Sequence, residues 1–361
     1  MFNPTRLSVA RKRRGLTKSD LARKIGVDLR SVTAYESGEY PPRSDTTEQI
    51  ARALEFPLEF FEGNDLDVPQ SDTASFRALS KMTATQRDIA LSQGAIAVEL
   101  NQWLDDRFEL PPPDLPDLSR ETSPEAAAES LRRLWSIGEL PVRNMIHLLE
   151  KYGVRIYSLA IDSREVDAFS WWKGPTPFVF LNSKKSSEHN RFDAAHELGH
   201  LVLHRHAAPQ GREAEREADT FASAFLMPRA SVIAHSPRYP SLQDLIKLKR
   251  IWSVSVAALN YRLHAVGMLS DWQYRTLCIE LAKKGYRTRE PNEAPRETSV
   301  ILPIVFGRLH DEKISRSEVA RRLRIPRSEL EQLMFGLAMA SIDGGNRKSP
   351  SLNKPRLSVV R

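Results

Sequence analysis

A single cysteine in 361 residues sets the first limit. Cys278 has no partner within the chain, which rules out an internal disulfide and a thiolate-rich zinc cluster. Long apolar runs are missing too. No stretch reaches the eighteen residues that a membrane-spanning helix requires. The opening residues, MFNPTRLSVARKRRG, lack the apolar core of a signal peptide. The expectation is therefore a cytoplasmic chain with no membrane partner. What remains is ordinary globular composition, 41% hydrophobic and 27% charged, in a chain long enough for two or three domains.

Charge is unevenly placed. The chain carries a net +7. Residues 1–30 hold Arg6, Arg11, Lys12, Arg13, Arg14, Lys18, Arg23, Lys24 and Arg30 against Asp20 and Asp28. The first thirty residues thus have a surplus equal to that of the whole chain. Such a cluster suits an anionic partner, although a solvated helix face has the same composition.

Residues 1–65 break into short helical segments with clear punctuation. Leu7, Val9 and Ala10 precede a stop at Gly15. Thr17 and Asp20 form a capping-box pattern ahead of Leu21, Ala22 and Ile25, and Gly26 is a C-terminal stop. Asp28 is placed to cap the next segment, whose inward residues are Val32 and Tyr35. Ile50, Ala51 and Leu54 close the bundle. Two short helices joined by a Gly-containing turn are the elements of a helix-turn-helix.

GLTKSDLARKIGVDLRSVTAYESGEYPPRSDTTEQIARALEF resembles the XRE (Cro/lambda-repressor type) DNA-binding family over nearly the whole segment. The resemblance implies a double-stranded DNA operator as partner and a homodimer reading two half-sites. It assigns base contacts to Arg30, Ser31 and Thr33, near the start of the second helix of the pair. Thr17 and Lys18, at the start of the preceding helix, then meet phosphate.

Residues 66–140 form a helical and Pro-rich connecting region. TATQRDIALSQGAIAVELNQWLDDRF is an amphipathic helix, with Ile89, Ile96, Leu100 and Trp103 inward. ELPPPDLPDLSRETSP has too much proline for helix or central strand and offers exposed chain. Ser123 and Pro124 start another helix. From 141 to 270 the pattern becomes helix, strand, strand, helix, an α+β arrangement in which VRIYSLA and PFVFLN are the strands.

The chemistry concentrates in RFDAAHELGHLVLHRH. Residues four apart on an α-helix lie about 40° from alignment, so His196 and His200 can offer two imidazoles to one ion. Glu197, about 100° round from His196, is placed to reach a metal-bound water as general base. Gly199 costs helix propensity, roughly 1 kcal/mol, and so points to a close approach at that position. The competing reading is a buried helix with two hydrogen-bonded histidines.

A catalytic zinc needs a third protein ligand. His206 has the spacing of the third metzincin histidine, but Leu203 stands where that motif places glycine. His204 rises about 6 Å above His200 on a straight helix and cannot share its ion. The next helix, EAEREADTFASAFLMP, offers Glu213, Glu215 and Glu217. Glu215 and Asp219 share one face beside an apolar stripe. Glu215 is the favoured ligand, with Asp219 behind a ligating histidine. Glu217 is next in line, and Glu213 reads as a solvated acid. Zn²⁺ suits the donors, with Mn²⁺ or Fe²⁺ as alternatives.

RFDAAHELGHLVLH followed by EREADTFASAFLMP resembles the ImmA/IrrE metallopeptidase family across about residues 141–230. The preceding VDAFSWW and PFVFLN segments resemble that family's N-terminal half. The resemblance implies a zincin-like, gluzincin fold and a zinc-dependent protease that cuts a helix-turn-helix repressor after stress. By analogy with zincins, PFVFLN is the edge strand along which a substrate lies. His204 and Tyr239 are candidates for stabilising an oxyanion.

Residues 271–340 are helical, with a polar loop at GYRTREPNEAPRETS and a basic helix-turn-helix-like pair around ARRLRIPR, read as packing or dimerisation. Residues 341–361 form a basic, Pro/Gly/Ser-rich tail expected to be disordered. The chain thus reads as an all-α DNA-binding domain, an α+β peptidase domain and a helical C-terminal region. The leading expectation is a transcriptional regulator that cleaves a repressor or its own connecting region. Two alternatives stand beside it: a regulator whose peptidase-like domain senses metal or ligand without cleaving, and an antitoxin-type regulator that binds a toxin.

Overall fold

Asn3 accepts hydrogen bonds from the backbone N–H groups of Thr5 and Arg6, and Pro4 occupies the first helical position. Together they start α1 (Pro4–Arg13). A computed structural model describes residues 1–69, 75–76, 82–159, 167–206, 211–286 and 288–338. The tail at 341–361 lies outside the described residues.

The N-terminal bundle continues with α2 (Lys18–Ile25), α3 (Leu29–Ser37), α4 (Ser44–Leu54) and a 3₁₀ turn at Leu58–Glu62. Thr17 and Asp20 make the full capping box at the start of α2, and Gly26 ends it at φ +68°. Only glycine adopts that conformation without a Cβ penalty. Asp28 precedes α3 but makes no side-chain capping bond, contrary to its sequence reading. Leu7, Leu21, Val32, Ile50, Leu54 and Phe60 fill the bundle's core.

A two-residue strand, β1 (Ser75–Phe76), precedes α5 (Ala84–Asp105), the longest helix described. α5 buries Ala90, Ile96, Ala97 and Leu100 and packs against α1. Next come α6 (Pro124–Leu134), α7 (Met145–Lys151), β2 (Arg155–Ser158), β3 (Ala168–Lys173) and β4 (Thr176–Leu181). β3 and β4 are antiparallel, with Lys173 opposite Thr176, so Gly174 and Pro175 form a two-residue turn. β2 runs parallel to β4, and β1 runs antiparallel to β3.

The resulting order, β1-β3-β4-β2, corrects one expectation. PFVFLN forms β4, an interior strand hydrogen-bonded on both sides. Phe178, Val179 and Phe180 are buried there, as a strand flanked on both edges requires. The strand nearest the histidine helix is β3, whose outer neighbour is β1.

α8 (Ser187–Leu203) crosses this sheet and packs on its other side against α9 (Arg212–Leu226). Two buried charged groups anchor its first turns. Lys249, 2% exposed, pairs with Glu188 at 2.8 Å and Glu290 at 3.1 Å. Arg191 pairs with Glu297 and donates to the Trp252 carbonyl. The glutamates at 290 and 297 come from the polar 285–299 loop, so that loop is tied down at these points.

The Pro-rich segment is pinned as well. Leu115 and Leu118 are buried, the Leu118 N–H donates to the Val202 carbonyl, and the Asp114 N–H donates to that of Tyr152. Residues 112–114, 117 and 119–123 are exposed, so the segment is exposed chain anchored at Leu115 and Leu118. The remaining helices are α10 (Arg229–His235), α11 (Leu242–Trp252), α12 (Val256–Ala265), α13 (Asp271–Lys283), α14 (Ile301–Asp311), α15 (Arg316–Arg322) and α16 (Arg327–Met334). No helix among the described residues is long and apolar enough to cross a membrane.

Candidate metal centre and DNA-facing surface

Every residue of α8 from Asp193 to Val202 is buried, so any polar group there must be answered by a neighbour. His196 is fully buried. Its Nδ1 lies 2.9 Å from Asp219 Oδ1 on α9. Carboxylates accept, so His196 donates from Nδ1 and presents an Nε2 lone pair on the other side. His200, 3% exposed, turns its own Nε2 to within 3.1 Å of that atom. Burial pushes the His200 pKa down to about 4, so the ring is neutral near pH 7.

Glu215 completes the convergence. Its carboxylate oxygens lie 3.6 Å from His196 Nε2 and 3.4 Å from His200 Nε2. Tetrahedral zinc with ligands at roughly 2.0–2.2 Å spaces neighbouring ligand atoms by roughly 3.3–3.6 Å. Two Nε2 atoms 3.1 Å apart beside a carboxylate are held together either by a proton on one ring or by a cation between them. The donor set fits a divalent metal: His196, His200 and Glu215 offer ligand atoms within 4.8 Å of one another.

Gly199 makes this geometry possible. A Cβ there would sit 3.0 Å from Phe221 Cδ1 and 3.3 Å from Ala218 Cα. The expected close approach is therefore that of α9, the helix carrying Glu215 and Asp219.

Glu197 is fully buried and held by a neighbour that the sequence reading missed. Ser170 Oγ on β3 donates to its Oε2 at 2.6 Å. AFSWWK lacks a period-two alternation, and nothing local says that its serine meets this glutamate. Glu217 does point away from the histidine pair, and its target is His204 at 2.7 Å. His204 in turn lies 3.0 Å from His200, Nδ1 to Nδ1. His206 is 69% exposed on its side chain and meets Asp117 at 2.8 Å, away from the cluster. Tyr239 is 72% exposed, with Arg238 over its ring. Glu213 is exposed.

On the N-terminal bundle, Thr17, Arg30 and Thr33 are exposed, while Lys18 and Ser31 are partly buried. The Thr17 hydroxyl is engaged with Asp20, and that of Thr33 donates to the Leu29 carbonyl at 3.0 Å. Lys18 lies 3.6 Å from Glu36. Arg30 has no ion-pair partner among the described residues.

The rest of the basic cluster behaves differently from its sequence reading. Arg6, Arg11 and Arg13 are buried and paired with Glu99, Glu36 and Glu329. Lys12 meets Asp88, and Arg14 also meets Glu329. Much of the local surplus is spent on internal pairs with acids from distant parts of the chain.

An α-helical bundle with a helix-turn-helix pair, joined to a buried HExxH helix facing a glutamate helix, defines a DNA-binding regulator with a peptidase-like domain. Family comparison matches two segments of the chain. Residues 7–61 match the helix-turn-helix family, and residues 149–264 match the IrrE N-terminal-like domain of the M78 peptidase family. The chain is thus a fusion of those two domain types. A search of curated proteins returned no match.

Proposed function

We propose that this chain is a transcriptional regulator whose second domain is a zinc-dependent endopeptidase, with His196, His200 and Glu215 as metal ligands. The observation that carries this reading is the meeting of two Nε2 atoms and one carboxylate beside Glu197. Asp219 holds His196 in the metal-competent tautomer. Zinc, when bound, supplies a Lewis acid that acidifies water at this position. Glu197, its Oε2 held by Ser170, would be the group that accepts a proton from water and returns it to the departing amine. Burial of α8 keeps bulk water from competing.

On the DNA side, Arg30, Ser31 and Thr33 face the base edges, and Thr17 and Lys18 meet phosphate. The proposed substrate is a helix-turn-helix repressor, and the DNA-binding form is a homodimer. The gluzincin assignment rests on Glu215 and Asp219 standing four residues apart on the helix that packs against the histidines.

One feature favours a second, non-cleaving state. β3's outer edge, across from Ser170, is filled by Ser75–Phe76, so an extended substrate must displace β1 to pair there. Both states are tested by profiling new protein N-termini in cells expressing wild type or Glu197→Gln. The proposal expects new termini within a helix-turn-helix protein in the wild-type cells alone. Identical profiles in both would leave only the non-cleaving state.

A further inference from the structure

We propose that His204 and Glu217 are positioning residues for His200, fixing which ring nitrogen faces the metal position. This rests on reading His196, His200 and Glu215 as a metal centre. The argument runs through proton ownership. Glu217 lies 2.7 Å from His204 Nε2, and a carboxylate only accepts, so His204 carries its proton on Nε2. In a neutral imidazole the other nitrogen is then an acceptor. That nitrogen, His204 Nδ1, lies 3.0 Å from His200 Nδ1. His200 must donate from Nδ1, which leaves its Nε2 lone pair aimed at His196 Nε2 and Glu215.

Reversing the first proton reverses the last. If His204 donated from Nδ1, His200 would accept there and carry its proton on Nε2, where the metal belongs. Glu217 therefore sets the tautomer of His200 through an intervening ring. Asp219 does the same for His196 in one step. The α9 carboxylates at 215, 217 and 219 thus divide the work: one ligand and two orienting groups.

The positions explain why the relay takes two steps on one side. His204 is the residue that caps the C-terminus of α8 and stands one turn beyond His200. Glu217 lies about 160° round α9 from Glu215, measured the short way. It cannot reach the ion from there, but it can reach the end of α8. His204 is well shielded, with 9% of its side chain exposed, so its ring is held between its two partners.

The test is zinc affinity of the full-length chain, read by competition with a chromophoric chelator. The series is wild type, Glu217→Leu, His204→Phe, His204→Asn, the Glu217→Leu/His204→Phe double variant, and Glu213→Gln as control. Losing an orienting partner of a metal-bound histidine weakens binding about 10–100-fold, and that loss is expected for Glu217→Leu, which removes the acceptor, and for His204→Phe. His204→Asn should recover part of it, because its amide oxygen accepts from His200 Nδ1. The double variant should bind no more weakly than the worse single one, since both lie on one chain of hydrogen bonds. Melting of the metal-free proteins should be alike across the series.

Wild type binding zinc while Glu217→Leu and His204→Phe bind within about twofold of it would overturn the relay and leave the metal centre intact. Loss of zinc in Glu217→Leu with none in His204→Phe would overturn it also, by making Glu217 a ligand. Failure of wild type to bind zinc would remove the metal centre itself, and the relay with it.

Discussion

His196 donates a hydrogen bond from Nδ1–H to Asp219, and the proposed metal site depends on the lone pair left at Nε2. At this scale the sequence was legible wherever geometry is local. Four-residue spacing on one helix puts His196 beside His200, and the same spacing on the next puts Glu215 beside Asp219. Ser170 and the His204–Glu217 link were not legible, because each joins two elements whose crossing no spacing encodes. Nor was the fate of the arginines. Counting charges over residues 1–30 ignores Glu99 and Glu329, which come from far along the chain. Arg30 is an exposed cation with no ion-pair partner among the described residues. Arg30→Ala should weaken operator binding by about 1–3 kcal/mol, measured by titration of labelled DNA at fixed salt, without changing zinc content. Unchanged affinity would remove Arg30 from the DNA contact.

At the scale of elements, caps and stops were well signalled. Thr17 with Asp20 and the left-handed Gly26 bound α2, as their residue types dictate. Strand order was not signalled. PFVFLN has the apolar run of a buried strand, and only the pairing with β2 and β3 shows that it is interior. The α8–α9 crossing is the element-level feature on which the site depends, and Gly199 sets its closeness. Gly199→Ala gains about 1 kcal/mol of helix propensity but pushes a methyl group against Ala218 and Phe221. A shift of a few tenths of an ångström in α9 moves Glu215 away from the histidines. The variant should therefore lose zinc affinity while its metal-free melting changes little. Wild-type affinity in Gly199→Ala would show that the crossing has slack.

Across the whole molecule, the DNA-binding bundle is not hung on a free tether. Glu329 on α16, 1% exposed, accepts from Arg13 at 2.7 Å and from Arg14 at 2.6 Å, both near the end of α1. The residues between are also in use. α5 packs against α1, and Gln93 on its buried face donates to the Ser158 carbonyl of β2. Breaking a buried ion pair by removing one partner costs about 3–5 kcal/mol. Glu329→Ala should destabilise the chain by that order in chemical denaturation and loosen the bundle from the C-terminal helices. A loss below about 0.5 kcal/mol would mean that the contact is no more than a surface pair.

The metal reading is tested most directly by metal analysis of the purified protein, wild type beside Glu215→Gln, with zinc supplied to both. The geometry predicts about one zinc per chain in wild type and a sharp loss in the variant, with helical content unchanged. Zinc-free wild type, or equal zinc in both proteins, would contradict it.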